Sequence, residues 1–333
     1  MLNPDLKLNP KLFDQDVEVK PTRAGYGEGL LALGDKNPNV VALCADLTES
    51  TYAHLFAQKY PDRFFQVGVA EQNMAAIAAG LAISGKIPFI SSYATFSPGK
   101  NWETIRTTIV YNRANVKIAG HHAGIITGPD GATHQATEDI ASVRSWPGIK
   151  IIVPCDSIEA RKATIESANV DGPVYLRFSR DKTPVITTDQ TPFEVGKTYI
   201  FWRSDNPTVT IFSCGYMTYY ALMAAKELQE EGINTIVANV ANIKSLDEKT
   251  ILSLIQETKS CVTVEDHQVT GGLAGSIAEF SSKNFPIPIE FVGLQDTFAE
   301  SGSPKELIEK YGMDTKSIKK KVKIVTERKN RRD

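Results

Sequence analysis

Long apolar runs are absent from this chain of 333 residues. None approaches the roughly 20 residues that cross a bilayer, so no membrane-spanning helix is expected. Met1 to Lys20 alternates polar and charged side chains and lacks the apolar core of a secretory signal. Cysteine is scarce. Cys44, Cys155, Cys214 and Cys261 are widely scattered and form no Cys-x-x-Cys pair. They read as reduced thiols near strand ends, not as a zinc site or a disulfide framework. An excess of one charge is also missing, because 37 Lys and Arg against 39 Asp and Glu leave a formal net charge of -2. A dedicated nucleic-acid binder needs a positive field to reach phosphates, so no nucleic acid and no membrane is expected as a partner. Together these absences point to a cytoplasmic protein.

What is present is ordinary globular composition, 42% hydrophobic and 23% charged. At about 150 residues per domain, the length suggests two domains. Short β-branched runs alternate with longer amphipathic segments. Strands are expected at 40–43, 87–91, 116–119, 149–153 and 174–177, with helices at 24–33, 71–84, 102–112, 137–145 and 157–168. A second alternation follows, with strands at 208–213, 235–240, 261–264 and 287–292. Its helices fall at 217–231, 247–257, 272–282 and 304–311. Strands separated by helices imply right-handed crossovers and a mostly parallel sheet. The fold class is therefore α/β, with two domains, each a mostly parallel sheet flanked by helices. The expected division is a first domain over 1–182, a linker over 183–198 marked by Pro184 and Pro192, a second domain over 199–325 and a basic tail over 326–333. The basic stretch from Lys316 reads as a solvated helix with a frayed end.

Several apparent motifs fall away. Gly271-Gly272-Leu273-Ala274-Gly275 lacks the glycine spacing of a dinucleotide loop, and Pro98-Gly99-Lys100 lacks the upstream glycine of a P-loop. Glu265-Asp266-His267 are adjacent on a strand and cannot all face one metal ion, which favours a loop or interface role. Two segments remain. In Gly68-Val69-Ala70-Glu71, the carboxylate heads a helix of Ala75, Ala76, Ile77, Ala78, Ala79, Gly80 and Leu81, so apolar that it is expected to be buried. Glu71 there either complements the helix dipole or exchanges a proton. In Gly128-Pro129-Asp130-Gly131-Ala132-Thr133-His134-Gln135, a loop carries Asp130 and His134, and His121-His122 stands upstream after a strand. Sugar or phosphate binding suits this group better than a metal, because no His-x-His or His-x-x-x-His spacing exists.

These segments resemble the pyrimidine-binding domain of transketolases. The resemblance is carried by Gly68-Val69-x-Glu71 with its small-residue helix, Ala45-Asp46-Leu47, Thr95-Phe96 and Asp130-Gly131-x-Thr133-His134-Gln135. Pro154-Cys155-Asp156 and Ser179-Arg180 extend it, and Val264-Glu265-Asp266-His267 resembles the family's C-terminal domain, so nearly the whole chain is covered. The family's diphosphate-binding domain carries Gly-Asp-Gly and a downstream Asn, and nothing in this sequence matches them. The resemblance therefore implies the C-terminal section of a split transketolase. Its partners would be an N-terminal subunit, a second copy of this chain within an α2β2 assembly, and sugar phosphates.

The implied cofactor is thiamine diphosphate with magnesium or calcium, no metal ligand lying on this chain. The implied reaction passes a two-carbon ketol unit between ketose and aldose phosphates, in pentose phosphate chemistry. Glu71 matches the acid that bonds a pyrimidine ring nitrogen and favours the imino tautomer. Phe96 matches the aromatic that packs on that ring, and Trp102 is the candidate second aromatic. Asp46 and Leu47 match cofactor contacts, although Asp46 equally suits a helix cap. Asp130 and His134 match contacts to ketose hydroxyls. Arg23, Ser50, His122 and Arg180 match the phosphate site, where cationic and donor groups suit a dianion. Alternative readings are a 1-deoxyxylulose 5-phosphate synthase-like fragment, the beta-type subunit of a 2-oxo-acid dehydrogenase, and a non-catalytic scaffold subunit.

Overall fold

Two parallel-rich sheets take up the β-branched runs in a computed structural model that describes residues 1–331. Arg332 and Asp333, the end of the expected basic tail, lie outside the described residues. The larger sheet runs, edge to edge, Asn242–Lys244, Lys150–Ile152, Val174–Arg177, Lys117–His121, Ile87–Tyr93, Val40–Cys44 and Phe64–Gln66. All its neighbours are parallel except the first pair. In the smaller sheet, Ile289–Leu294, Cys261–Gln268, Val209–Ser213 and Thr235–Asn239 are parallel, and Tyr199–Arg203 closes one edge antiparallel. Strands such as Val40–Cys44 and Val209–Ser213 are buried along their whole length, as helices on both faces require. Helix Thr22–Lys36 packs so closely on helix Ser157–Ser167 that a Cβ on Gly25 would sit 1.8 Å from the Ser157 carbonyl oxygen, a contact only glycine permits.

The smaller sheet and the larger one are tied by buried polar groups as well as by a shared apolar core. Arg177, at the end of its strand, donates to Asp139 at 2.8 Å and to the carbonyls of Ala136 and Asp266. Asp266 in turn accepts from the backbone N–H groups of Ile125 and Ile126 and from the Tyr216 hydroxyl. Its neighbours on the strand point elsewhere. Glu265 caps helix Leu273–Asn284 by accepting from the Leu273 and Ala274 amides, and His267 Nε2 accepts from the Ala141 amide. The three side chains thus divide between a helix start and the boundary between the sheets, which is the interface role expected of them.

Four features depart from the sequence reading. Strands at Val19–Pro21, Lys182–Pro184, Phe64–Gln66 and Asn242–Lys244 go unseen in the sequence, since three residues carry no period, and so does the five-residue edge strand Tyr199–Arg203. Lys182–Pro184 pairs antiparallel with Val19–Pro21, so the start of the expected linker is a strand. Helix Glu71–Ile83 is not buried all round: Met74, Ala75, Ala78 and Ala79 face the core, but Ala76, Ile77, Gly80 and Ile83 are exposed. One side meets the sheet and the opposite side is left uncovered among the described residues. Finally, the basic stretch is no solvated tail. Helix Thr315–Asn330 runs through residues 326–330 and buries Ile318, Val322 and Val325. Its cations pair with acids of the same domain, Lys319 with Glu227 and Glu231 and Lys321 with Glu290, at 2.6–2.8 Å.

Removing one partner of a buried pair leaves an uncompensated charge. Arg177→Met is therefore expected to cost about 3–5 kcal/mol of folding stability, measured by chemical denaturation. A cost below about 1 kcal/mol would mean that the pair does not hold the two sheets.

Candidate active site

The carboxyl ends of the parallel strands in the larger sheet all open on one side, where α/β folds place ligands. Almost every residue singled out in the sequence lies on this edge. Asp46, Leu47 and Ser50 follow Val40–Cys44, and Glu71 follows Phe64–Gln66. Phe96 follows Ile87–Tyr93, His122 to His134 follow Lys117–His121, and Arg180 follows Val174–Arg177. Arg23 reaches the same edge from the start of helix Thr22–Lys36.

Glu71 sits at the first turn of its helix with its side chain 2% exposed. The Lys100 ammonium contacts Glu71 Oε2 at 2.8 Å, and the Asn101 amide donates to the Glu71 carbonyl. Lys100 belongs to the turn Thr95–Lys100, which also carries Phe96, and the Asn101 N–H returns to the Phe96 carbonyl. One turn of chain thus carries both Phe96 and the cation that contacts the buried carboxylate.

Four rings form the next layer. Tyr93 stacks on His122 with centroids 3.8 Å apart, and lies 5.9 Å from Phe96 and 6.1 Å from His134. Phe96 meets His134 edge-on at 5.6 Å. Tyr93 escapes the sequence reading because it looks like the last residue of a buried strand. Its place at the strand end, pointing at the loops, is the only signal that might have marked it.

Beyond the rings the surface is cationic. Arg23 donates to the carbonyls of Arg180 and Ser50, at 2.9 and 2.7 Å, and its guanidinium lies over the Tyr52 ring. Arg180 donates to the Thr127 carbonyl and lies 3.3 Å from Asp130. Burial first, then the charges of Arg23, Arg180 and His134, push the His122 imidazole down to about 3. Burial also lowers Arg23, and Arg180 adds to the effect. Two guanidinium groups crowded beside an imidazole in this way favour an anion between them.

Strain and unmet hydrogen bonds concentrate at the same edge. Asp46, Tyr52 and His122 have φ of 60°, 61° and 52°, left-handed values that are costly for residues with a Cβ. Asp46 caps no helix, because the next one begins at His54. Buried Thr95 Oγ1, Asn101 Oδ1, His122 Nδ1 and both ring nitrogens of His121 lack a partner among the described residues. The structure brings Glu71, Phe96, His122, Asp130, His134, Arg23, Ser50 and Arg180 to one stretch of the edge. It does not bring Trp102 to the ring cluster: its indole N–H donates to the Ser142 carbonyl and its ring lies against Trp146.

Comparison with known proteins bears on this geometry. Residues 19–185 match the family model for the transketolase pyrimidine-binding domain, and residues 199–318 match that for the transketolase C-terminal domain. The chain belongs to the transketolase family. It is 42% identical to a putative transketolase C-terminal section from Methanocaldococcus jannaschii, over 91% of this chain and 95% of that protein. It is 37% identical to the 6-deoxy-6-sulfo-D-fructose transketolase subunit SqwH of Clostridium sp. (strain MSTE9), over 96% and 98%. A solved structure described as "Split gene transketolase, inactive beta4 tetramer" superposes with a TM-score of 0.87 at 41% identity, covering 93% of this chain and 99% of that one. The expected family and fold class, two α/β domains with mostly parallel sheets, are thereby shown.

The depressed basicity of His122 has a direct readout. The unfolded chain takes up its proton near pH 6.5, so the stability that neutral His122 contributes is complete above that value and is lost as the pH falls towards 3. In NMR titrations the His122 ring is expected to stay neutral well below 6.5, and inorganic phosphate is expected to raise its midpoint. A midpoint near 6.5 that phosphate leaves unmoved would separate His122 from the field of Arg23 and Arg180.

Proposed function

We propose that this chain is the pyrimidine-side subunit of a two-chain transketolase, which transfers a two-carbon ketol unit between ketose and aldose phosphates. The observation that carries this reading is the placement of a buried carboxylate, a ring cluster and a cationic patch in sequence along one sheet edge. Membership of the transketolase family implies dependence on thiamine diphosphate. The residues present fit one end of that cofactor. A carboxylate shielded from water, with an aromatic ring cluster and unpartnered buried polar atoms on the same sheet edge, suits a flat heterocycle with ring nitrogens and an exocyclic amine. Among the described residues no group of three His, Cys, Asp or Glu side chains is arranged to hold a metal ion. The likeness to a split-gene transketolase chain supports our assignment of the diphosphate end, with its magnesium or calcium, to an N-terminal-type partner subunit.

Thiamine diphosphate, when bound, supplies the carbon nucleophile and the electron sink for breaking and making the carbon–carbon bond. This chain's residues do the rest. Glu71 holds a proton at the pyrimidine ring nitrogen and so favours the tautomer whose amine acts as a base. Phe96 orients the ring by stacking, and Asp46 and Leu47 line the cofactor beyond it; Trp102, held against Trp146 and Ser142, takes no part. Asp130 and His134 orient sugar hydroxyls. Arg23, Ser50, His122 and Arg180 hold the anionic tail of the sugar, neutralising its charge where their own mutual repulsion favours it.

The open face of helix Glu71–Ile83, with Ala76, Ile77, Gly80 and Ile83 outward, is the surface we assign to a second subunit. Exposed apolar side chains contiguous on one helix face mark a contact with another chain. We propose an assembly of two copies of each chain, with the protein working in the cytoplasm.

Mixing the chain with an N-terminal-type subunit, thiamine diphosphate and magnesium is expected to give ketol transfer from xylulose 5-phosphate, and the isolated chain none. In that assembly Glu71→Gln is expected to lower kcat by about 100- to 10,000-fold. Turnover of pyruvate with glyceraldehyde 3-phosphate instead would assign the chain to deoxyxylulose phosphate synthesis. Unchanged kcat in the Gln variant would favour a scaffold role.

A further inference from the structure

The Glu71 carboxylate has one hydrogen-bond donor among the described residues, and that donor is Lys100 Nζ at 2.8 Å. The two partners differ sharply in exposure: the Glu71 side chain is 2% exposed and that of Lys100 is 44% exposed. A carboxylate out of water needs a countercharge or a donor, and an ammonium on a flexible four-carbon stem is a donor that leaves at little cost. Lys100 and Phe96 lie four residues apart on one irregular turn, fixed by the Gly99 N–H to the Ala94 carbonyl and by Asn101 to both Ser97 and the Glu71 carbonyl. A heterocycle whose ring nitrogen bonds Glu71 therefore meets a carboxylate whose one donor among the described residues is already Lys100.

We propose that Lys100 is a positioning residue that occupies Glu71 in the unliganded chain and must be displaced by the aminopyrimidine. The proposal rests on the functional reading above. It gives the ion pair two opposite effects. In the free chain Lys100 stabilises the buried carboxylate and the first turn of helix Glu71–Ile83. On binding it competes, because only the fraction of molecules with Lys100 swung away presents a free carboxylate, and apparent affinity falls by that fraction. A lysine with a purely structural role would support folding and binding together, and a lysine that touches the ligand would support binding directly. Opposed signs distinguish displacement from both.

The test uses the full chain assembled with its partner subunit, with thiamine diphosphate and magnesium as the probe and fluorescence titration for Kd, alongside thermal unfolding of the chain alone. Lys100→Met is expected to lower Tm by several degrees while tightening thiamine diphosphate about tenfold. Lys100→Arg, which keeps the charge, is expected to restore both values towards the original. In the Glu71→Gln background, Lys100→Met is expected to change Kd little, because the two groups act as one coupled pair. Weaker or unchanged binding in Lys100→Met would overturn the displacement of Lys100. An unmodified assembly that fails to bind thiamine diphosphate at all would overturn the functional reading itself, and the two failures are distinguishable.

Discussion

The guanidinium of Arg177 is the point on which the arrangement turns. It is anchored by Asp139 on one side and reaches the backbone of Asp266 on the other, so the ends of strands from two different sheets share one buried cation. Asp266 then passes the connection to the amides of Ile125 and Ile126, at the start of the loop that carries Asp130 and His134. The second domain thus fixes the height of a loop in the first, even though it contributes no side chain to the ring cluster. Buried charges of this kind are expensive to bring together. Here they specify one relative placement of the two sheets, where apolar packing alone tolerates several.

Electrostatics also order the edge itself. At one end the Glu71 carboxylate, paired with Lys100, is shielded from water, and at the other Arg23 and Arg180 stand beside His122 with Asp130 and Asp181 as countercharges. A ligand that is neutral or cationic at one end and anionic at the other is matched by this gradient, and the stacked rings of Tyr93 and His122 lie between. The left-handed φ values at Asp46, Tyr52 and His122 show that the loops are held in conformations they would not choose alone. The surrounding contacts, including Arg23 to the Ser50 carbonyl, maintain that strain.

Much of this was legible in the residues. Runs such as Val40 to Leu43 and Val209 to Ser213 are buried on both faces and advertise parallel strands, and the helices between them follow from the crossovers such strands need. The placement of Glu71 at a helix start and of Phe96, Asp130 and His134 in turns along the sheet edge was legible because these segments carry strong local signatures. Strands of three residues were not, since Asn242–Lys244 exists only because Lys150–Ile152 offers it an edge. Nor was the pairing of Lys100 with Glu71, residues 29 positions apart, because no local pattern joins a turn to a distant helix start. The open side of helix Glu71–Ile83 misleads for a related reason: apolar composition announces a covered surface without saying which chain covers it.

The strand Asn242–Lys244 has a consequence for how this protein can be divided. It follows the first three strands of the smaller sheet in the sequence, yet it hydrogen-bonds to Ile151 and Ile152 in the larger sheet. Cutting the polypeptide at residues 183–198 would therefore not yield two self-contained pieces: the first would display a bare ladder along Lys150–Ile152, a template for mispairing and aggregation. Chimaeras between relatives that exchange the second half at that boundary would inherit a foreign edge strand, and the compatibility of that one ladder would decide whether such hybrids stay soluble.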